Sequence, residues 1–222
     1  MNDAPPSTNG EAADAGTSAQ ILAGLALVLL ALLVGLALLV DHSPLRVDID
    51  VATVVRDLYP GWATRLFDTL ATLPVVAVIA VVAAAASWLR GRRGAAVSFL
   101  VGVCAEAAIT LVKVVVDRPR PPGAAAGDFI TDASFPSGHT VRAVVVAALL
   151  IAAFVPRSGP ARWAAIVAAV AFVGLVGLAR IASGEHWPTD VLGGVFLGGS
   201  WVCVSLVIGE RFGALRRFGR RR

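Results

Sequence analysis

Lysine, cysteine and histidine are scarce in this chain of 222 residues. Lys113 is the only lysine among 19 basic residues, so every other basic side chain is an arginine. The two cysteines, Cys104 and Cys203, have no paired spacing and no histidine near them in sequence, which argues against a metal site or a disulfide framework. We expect both to be packing residues. Two of the three histidines, His139 and His186, follow Lys113 within one stretch of the chain, and that stretch holds the candidate site.

Charge is also scarce, at 15 % of residues, whereas hydrophobic residues make up 57 % and the mean hydropathy is +0.80. These values exceed what a soluble domain needs to cover a core and indicate a membrane protein. We predict an all-α integral membrane bundle of six transmembrane helices, because six stretches approach the roughly 20 apolar residues of a spanning helix. The six stretches are 21–40, 71–89, 94–112, 143–155, 163–179 and 191–209. The fourth is shortened by Arg142 and reaches adequate length when it is extended back to Gly138.

Arginines in the short loops predict the orientation of this bundle. The loops after the second and fourth stretches and the tail after the sixth contain eleven of the 19 basic residues, namely Arg90, Arg92, Arg93, Arg157, Arg162, Arg211, Arg216, Arg217, Arg220, Arg221 and Arg222. By the positive-inside rule, this face and both termini are cytoplasmic. The composition, poor in lysine and rich in alanine, valine and arginine, is typical of a GC-rich bacterial genome, so we expect a bacterial cell membrane.

The ends of the chain are predicted to be tails. Residues 1–20 contain no aromatic or branched apolar side chain, so we expect a disordered cytoplasmic tail. Residues 21–210 then form the membrane domain, and 211–222 a basic cytoplasmic tail. The first apolar stretch has no basic region before it and no small-residue cleavage site after it, so we expect it to stay in the protein rather than act as a cleaved signal peptide.

The loops after the first, third and fifth stretches then lie outside the cytoplasm. The first of them, 41–70, alternates apolar and charged residues, and its Tyr59 and Trp62 suit the membrane interface. We interpret it as one or two interfacial helices, or as a segment that only connects two spans. The candidate chemistry lies in and around the other two loops.

Lys113 and Arg120 lie on either side of a predicted helix end. Three prolines between positions 119 and 122 remove amide donors, so the helix should stop near Asp117. Fixed cations here suit a phosphate ligand. Taken alone, Lys113 is equally compatible with a side chain that reaches the headgroups, and Arg118 and Arg120 with loop charges that touch lipid phosphate.

A helix start with histidine follows at residues 135–140. Pro136 and Ser137 precede an apolar run, so the amides of Gly138 and His139 should be free at the start of a helix, where the helix dipole favours anions. Ser137 either caps the helix or binds a ligand oxygen, and such caps are common. A histidine at the end of a spanning helix is costly without a partner or a task.

The third region contains Arg180, His186 and Asp190. Pro188 fits the first turn of the last helix, which places Asp190 in that turn and His186 just before it. An aspartate in this position can orient an imidazole and stabilise its positive form. It can also simply cap the helix, and the two roles are compatible.

The order Lys113-x6-Arg120-Pro121, Pro136-Ser137-Gly138-His139 and Arg180-x5-His186-x3-Asp190 closely resembles the three-part signature of the type-2 phosphatidic acid phosphatase superfamily. That superfamily includes lipid phosphate phosphatases, glucose-6-phosphatase and vanadium haloperoxidases. The resemblance covers Lys113 to Asp190. One position departs from it, because Ala179 stands where the family usually has serine.

The resemblance implies an integral membrane phosphatase with its active site outside the cytoplasm. His186 would attack phosphorus and form a phosphohistidine, Asp190 would orient it, and His139 would protonate the leaving oxygen. The phosphate would be held by Lys113, Arg120, Arg180 and the Ser137–Gly138 amides. No metal or other cofactor is expected, because fixed cations offset the phosphate charge. The expected partners are a lipid phosphate and the bilayer, with no nucleic acid.

Three residues lie beside this set. Glu106 is an intramembrane carboxylate seven positions before Lys113, and we favour pairing with an arginine of the site over a direct catalytic role. Arg142, one turn after His139, either binds the headgroup or pairs inside the bundle. Pro121 belongs to the stiff loop. In the last stretch, Gly194-x3-Gly198 has the spacing that lets helices approach closely.

The leading interpretation is hydrolysis of a lipid phosphate or diphosphate, such as polyprenyl diphosphate, phosphatidic acid or phosphatidylglycerophosphate. A phosphotransferase, or a hydrolase of a soluble phosphate, would use the same pocket. A transporter would carry charges through the midplane, where only Glu106 is expected. A non-catalytic anion-binding protein is a further alternative.

Overall fold

The computed structural model describes residues 8–40, 43–124 and 132–219, and all regular secondary structure in these ranges is helical. The helices are α1 Thr8–Val40, α2 Arg46–Leu58, α3 Gly61–Leu70, α4 Leu73–Leu89, α5 Arg93–Val103, α6 Ala105–Val116, α7 Gly138–Phe154, α8 Pro160–Ala182 and α9 Pro188–Gly219. The predicted all-α class is confirmed.

Helix α9 lies at the centre of the bundle and packs on α1, α5 and α7. Two glycines allow the contact with α7. A Cβ at Gly194 would lie 2.8 Å from the Ser137 carbonyl oxygen, and one at Gly198 would lie 2.9 Å from Cβ of Val144. The predicted close approach at these two glycines is confirmed, and it brings the start of α7 against the start of α9.

The outer surface of the bundle is apolar. Side chains such as Leu38 (78 % exposed), Val81 (58 %) and Val170 (68 %) point away from the core. By length and composition, the segments that can cross a membrane are Thr17–Val40, Arg93–Val116, Pro160–Ala182 and Pro188–Gly213, with α3 and α4 as a fifth if this pair, bent by 46°, counts as one span. These features define a multi-pass membrane protein.

The total of six transmembrane spans remains a prediction. Helix α7 is apolar but has only 17 residues, fewer than a spanning helix usually needs. The predicted third stretch is also not one helix, since it is interrupted at Cys104 between α5 and α6. Helix α6 ends at Val116, and Asp117 follows in the left-handed region (φ 44°), so the predicted end near Asp117 is confirmed.

The predicted connecting and terminal segments contain more helix than expected. Segment 41–70 forms two helices, α2 and α3, which pack on α8. Helix α1 begins at Thr8, inside the segment predicted to be a disordered tail, and α9 extends to Gly219, inside the predicted basic tail. Residues 1–7 and 220–222 lie outside the described residues. Of the two cysteines, Cys203 is buried as predicted, whereas Cys104 is exposed.

Candidate active site

The side chains of Lys113 and Arg120, the two cations of the first motif, both lie against the protein. Lys113 lies in the last turn of α6 and is 3 % exposed. The Arg120 guanidinium donates to Glu185 Oε2 at 2.7 Å and to the Asp132 carbonyl oxygen at 3.0 Å. Pro121 is buried beside it. The stiff loop therefore directs Arg120 toward the third motif rather than toward lipid.

The second motif forms the start of α7. Ser137 is its N-cap residue and is fully buried, but its side chain does not cap the helix, and its hydroxyl accepts a hydrogen bond from Thr140 at 3.1 Å. The Ser137 amide donates to the Asp190 carbonyl oxygen at 3.0 Å. Within the described part of the chain, the amides of Gly138 and His139 make no hydrogen bond. They are the donors that a helix start offers to an anion.

His139 faces a carboxylate from a segment remote in sequence. Its Nε2 lies 3.6 Å from Asp68 Oδ1, and Asp68 belongs to α3. The side chains of Arg180, Arg142, His186 and Lys113 lie close enough to interact electrostatically with the His139 imidazole. The first, second and third motifs therefore meet around His139.

A tight turn brings His186 back to Arg180. The amides of Glu185 and His186 donate to the Arg180 carbonyl oxygen at 3.3 and 3.2 Å. The Arg180 guanidinium pairs with Asp68 through Nη1 and lies 3.6 Å from Glu185 through Nη2. Its buried Nε has no hydrogen-bond partner among the described residues. Ala179, where the resembling family has serine, is fully buried and supplies no hydroxyl.

His186 is buried beside Asp190. Only 2 % of His186 is exposed, and its Nδ1 lies 3.6 Å from Asp190 Oδ2, longer than a hydrogen bond. Burial lowers the pKa of His186 to about 4, and the nearby Arg180 and Arg120 charges add to this effect while Asp190 opposes it. The imidazole is therefore neutral at pH 7. Asp190 Oδ2 also accepts a 2.8 Å hydrogen bond from the Trp187 amide, so this carboxylate both caps α9 and faces His186.

A buried ionic network behind His186 was not predicted from sequence. Arg118 is fully buried, donating to Asp190 Oδ1 at 2.5 Å and to Asp48 Oδ2 at 2.7 Å. Asp48, also fully buried, accepts hydrogen bonds from the amide and hydroxyl of Thr189 at 2.9 and 2.8 Å. The interpretation of Arg118 as a loop charge on lipid phosphate is wrong, because the side chain points into the protein.

Two carboxylates contact Arg120, Arg180 and His139, the side chains that form the cationic pocket, and neither contact was predicted from the sequence. Glu185 contacts both Arg120 and Arg180, and Asp68 contacts both Arg180 and His139. Nothing local distinguishes Asp68 from the other aspartates of segment 41–70. The only available signal was a general one, since buried cations need counter-charges.

Glu106 and Arg142 form a two-pronged ion pair. Arg142 Nε and Nη2 donate to the two carboxylate oxygens of Glu106 at 2.7 and 2.9 Å. The pair joins α6 to α7 one turn below His139. The structure thus shows the arginine pairing that was favoured for Glu106. No group of three or more His, Cys, Asp or Glu side chains in the described ranges is arranged to hold a metal ion.

Apolar helices around a cluster of cations and histidines define the class, a multi-pass membrane protein with a charge arrangement suited to an anion. Residues 95–213, more than half of the chain, match the PAP2 superfamily. The chain belongs to the PAP2 superfamily. Its fold is similar to the crystal structure of a transmembrane PAP2-type phosphatidylglycerolphosphate phosphatase from Bacillus subtilis, with a TM-score of 0.62 and 22 % sequence identity. The similarity covers 88 % of this chain and 96 % of that one.

Proposed function

We propose that this PAP2-type membrane phosphatase hydrolyses a lipid phosphate or diphosphate through a phosphohistidine intermediate. One observation supports the proposal above all. A continuous series of side-chain contacts, Arg120–Glu185–Arg180–Asp68–His139, joins the three motifs beside a neutral, buried His186. A phosphoryl group needs this combination of clustered cations and a nucleophile that is unprotonated at neutral pH.

In the first half of the proposed reaction, His186 Nε2 attacks phosphorus. Its Nδ1 faces Asp190, so the proton on Nδ1 stays next to a carboxylate that stabilises the positive ring as the P–N bond forms. The bond from phosphorus to the leaving oxygen breaks, and His139 transfers a proton to that oxygen. In the second half, water attacks phosphorus, the P–N bond breaks, and His139 takes a proton from the water.

The cations hold the phosphoryl oxygens throughout. Lys113, Arg120 and Arg180 offset the charge of the transition state, and the amides at the start of α7 supply further donors. Phosphate would compete with the Asp68 and Glu185 carboxylates for the two arginines.

We expect phosphate release to continue in EDTA, because the fixed cations supply the charge that a metal ion would otherwise provide. The measurement is the rate of phosphate release with and without the chelator. Loss of activity in EDTA that magnesium restores would contradict this part of the mechanism.

The proposed substrates are amphiphiles whose headgroup enters the pocket while the tail stays in lipid. Polyprenyl diphosphate, phosphatidic acid and phosphatidylglycerophosphate fit this description. We place the pocket on the extracytoplasmic side and both termini in the cytoplasm, in line with the arginine distribution.

The decisive test compares the parent with His186→Ala in detergent. Phosphate release from the three lipid phosphates should fall at least about 1,000-fold, since the variant lacks the nucleophile. Denaturing gels after brief incubation with ³²P-labelled substrate should show an acid-labile phosphoprotein only in the parent. Unchanged phosphate release by a His186→Ala protein of normal elution volume would refute the proposal.

A further inference from the structure

A cleft of about 430 Å³ opens beside the cationic pocket and has no assigned role. Its volume lies in the range of small-molecule sites. One wall is the stiff loop with Pro119 and Arg120, next to Trp187, and the opposite wall is helix α2. Because Arg120 belongs to both, the cleft and the proposed phosphate pocket are adjacent.

The α2 wall is one face of the helix. Ile49, Thr53 and Arg56 line the cleft at spacings of four and three residues, which place side chains on the same side of a helix. The buried contacts of Asp48 with Thr189 and Arg118 fix the beginning of α2 against the start of α9. The α2 face is therefore held in a defined position over the cleft.

Arg56 is the charged residue of that face. The position of a Cβ on Gly184 lies 3.4 Å from Arg56 Nη2, so the guanidinium rests on the turn between Arg180 and His186. Gly184 has φ +73°, and it leaves this space open. The arginines of the pocket, Arg120 and Arg180, are paired with carboxylates. Arg56 makes no hydrogen bond or ion pair with any described residue, and its side chain is exposed to the cleft.

We propose that Arg56 and this cleft form a second anion subsite, which binds a second phosphate of the substrate while the scissile phosphate occupies the cationic pocket. The inference rests on the proposed function and narrows its substrate class. A lipid diphosphate has its second phosphate adjacent to the scissile one, and a glycerol-bridged bisphosphate has it a few bonds away. Phosphatidic acid has a single phosphate and leaves the subsite empty.

The test is a comparison of kcat/KM for phosphatidic acid, phosphatidylglycerophosphate and a polyprenyl diphosphate, each at the same mole fraction in detergent. Arg56→Gln should lower kcat/KM about 5–20-fold for at least one of the two-phosphate lipids, mainly by raising KM, as expected for a solvent-accessible charge-assisted contact. Phosphatidic acid should change less than about 2-fold. The two-phosphate lipid with the larger fall in kcat/KM shows which distance between two phosphates the subsite accepts.

Arg65→Gln is the matched control. Arg65 is an exposed arginine on the neighbouring helix α3 and does not line the cleft, so it tests the loss of one positive charge alone. Arg56→Lys should recover most of the activity on the two-phosphate lipid. As an independent readout, inorganic pyrophosphate should inhibit the parent at lower concentration than phosphate does, and Arg56→Gln should remove that difference.

The outcomes separate the inference from the proposed function. Equal effects of Arg56→Gln on all three lipids, no effect on any, or the same effect from Arg65→Gln would overturn the second subsite and leave the phosphatase assignment intact. Hydrolysis of phosphatidic acid alone by the parent would also overturn the second subsite and leave the phosphatase assignment intact. A parent that releases phosphate from none of the three lipids would overturn both.

Discussion

At the scale of single residues, the environment of His186 decides its chemistry. An exposed histidine is partly protonated near neutral pH, with a pKa of about 6.5. Burial and two arginines lower the pKa of His186 to about 4, so the imidazole lone pair is available at neutral pH. The sequence indicates which histidine lies next to an aspartate, but the desolvation that shifts its pKa exists only in the folded protein.

This pKa can be measured by NMR on protein with labelled histidines. There are only three histidines, so the signal lost in His186→Gln identifies His186. We expect that signal to titrate with a midpoint near 4. Because the unfolded state binds a proton at about 6.5 and the folded state only near 4, folding stability should fall as the pH drops through this window, and less so in His186→Gln. A midpoint near 6.5 would show that His186 is hydrated in the folded protein.

Arg118 is the residue whose importance the sequence conceals most. It follows Asp117 and precedes Pro119 in a run that reads as a surface loop, yet its side chain is fully buried between Asp48 and Asp190. Burial of one guanidinium with two carboxylates is stable only while all three are present.

Arg118→Met should destabilise the protein by about 3–5 kcal/mol, because it leaves two buried carboxylates without their cation. Denaturant unfolding in mild detergent, followed by tryptophan fluorescence, measures the change. Arg65→Met, on an exposed arginine, should stay within about 0.5 kcal/mol of the parent. Combination with Asp48→Asn should cost less than the sum of the single changes, since the two residues share one contact. Equal costs for the Arg118 and Arg65 variants would rule out the network.

At the scale of helices, the site depends on the contact between the starts of α7 and α9. The Ser137 amide donates to the Asp190 carbonyl oxygen across this contact, and Gly194 permits the approach. The small-residue spacing was visible in the sequence, and so was the end of α6. The interruption of the third predicted stretch at Cys104 was not, because the glycine that precedes the break, Gly102, is of a residue type also common inside spanning helices.

Gly194→Val should separate α7 from α9, because the added Cβ would lie 2.8 Å from the Ser137 carbonyl oxygen. We expect a loss of about 1–3 kcal/mol in the free energy of unfolding, together with reduced phosphate release. Gly174→Val on α8 is the control, as no atom outside the adjacent backbone of α8 lies within 4 Å of its Cβ position. If both variants are equally stable and active, the close contact is not needed to position Ser137 beside Asp190.

At the scale of the whole molecule, the chain forms a multi-pass bundle of the PAP2 superfamily with its candidate site residues near one end. Helices α2 and α3 pack over that end and contribute Asp48 and Asp68 to it. The sequence left open whether this segment was more than a connection. Its contribution became apparent only when its carboxylates were found opposite Arg118 and Arg180.

The orientation of the bundle can be tested with single cysteines in a protein whose two natural cysteines are replaced by serine. Asp57→Cys in α2 should react with a membrane-impermeant maleimide added to intact cells, whereas Ser158→Cys between α7 and α8 should react only after the cells are permeabilised. Both positions are exposed, so access to the reagent depends on the side of the membrane. Labelling of Ser158→Cys in intact cells would reverse the proposed topology.

The sequence alone determined the features that depend on composition and local order. Hydropathy determined the membrane class and the approximate positions of the apolar helices, and the order of basic residues, histidines and one aspartate determined the family. Only the tertiary structure decided which carboxylates oppose the cations, because Asp48 and Thr189 are 141 residues apart and Asp68 and Arg180 are 112 apart. Contacts between residues so far apart in sequence follow from helix packing, and the local sequence around each residue does not indicate them.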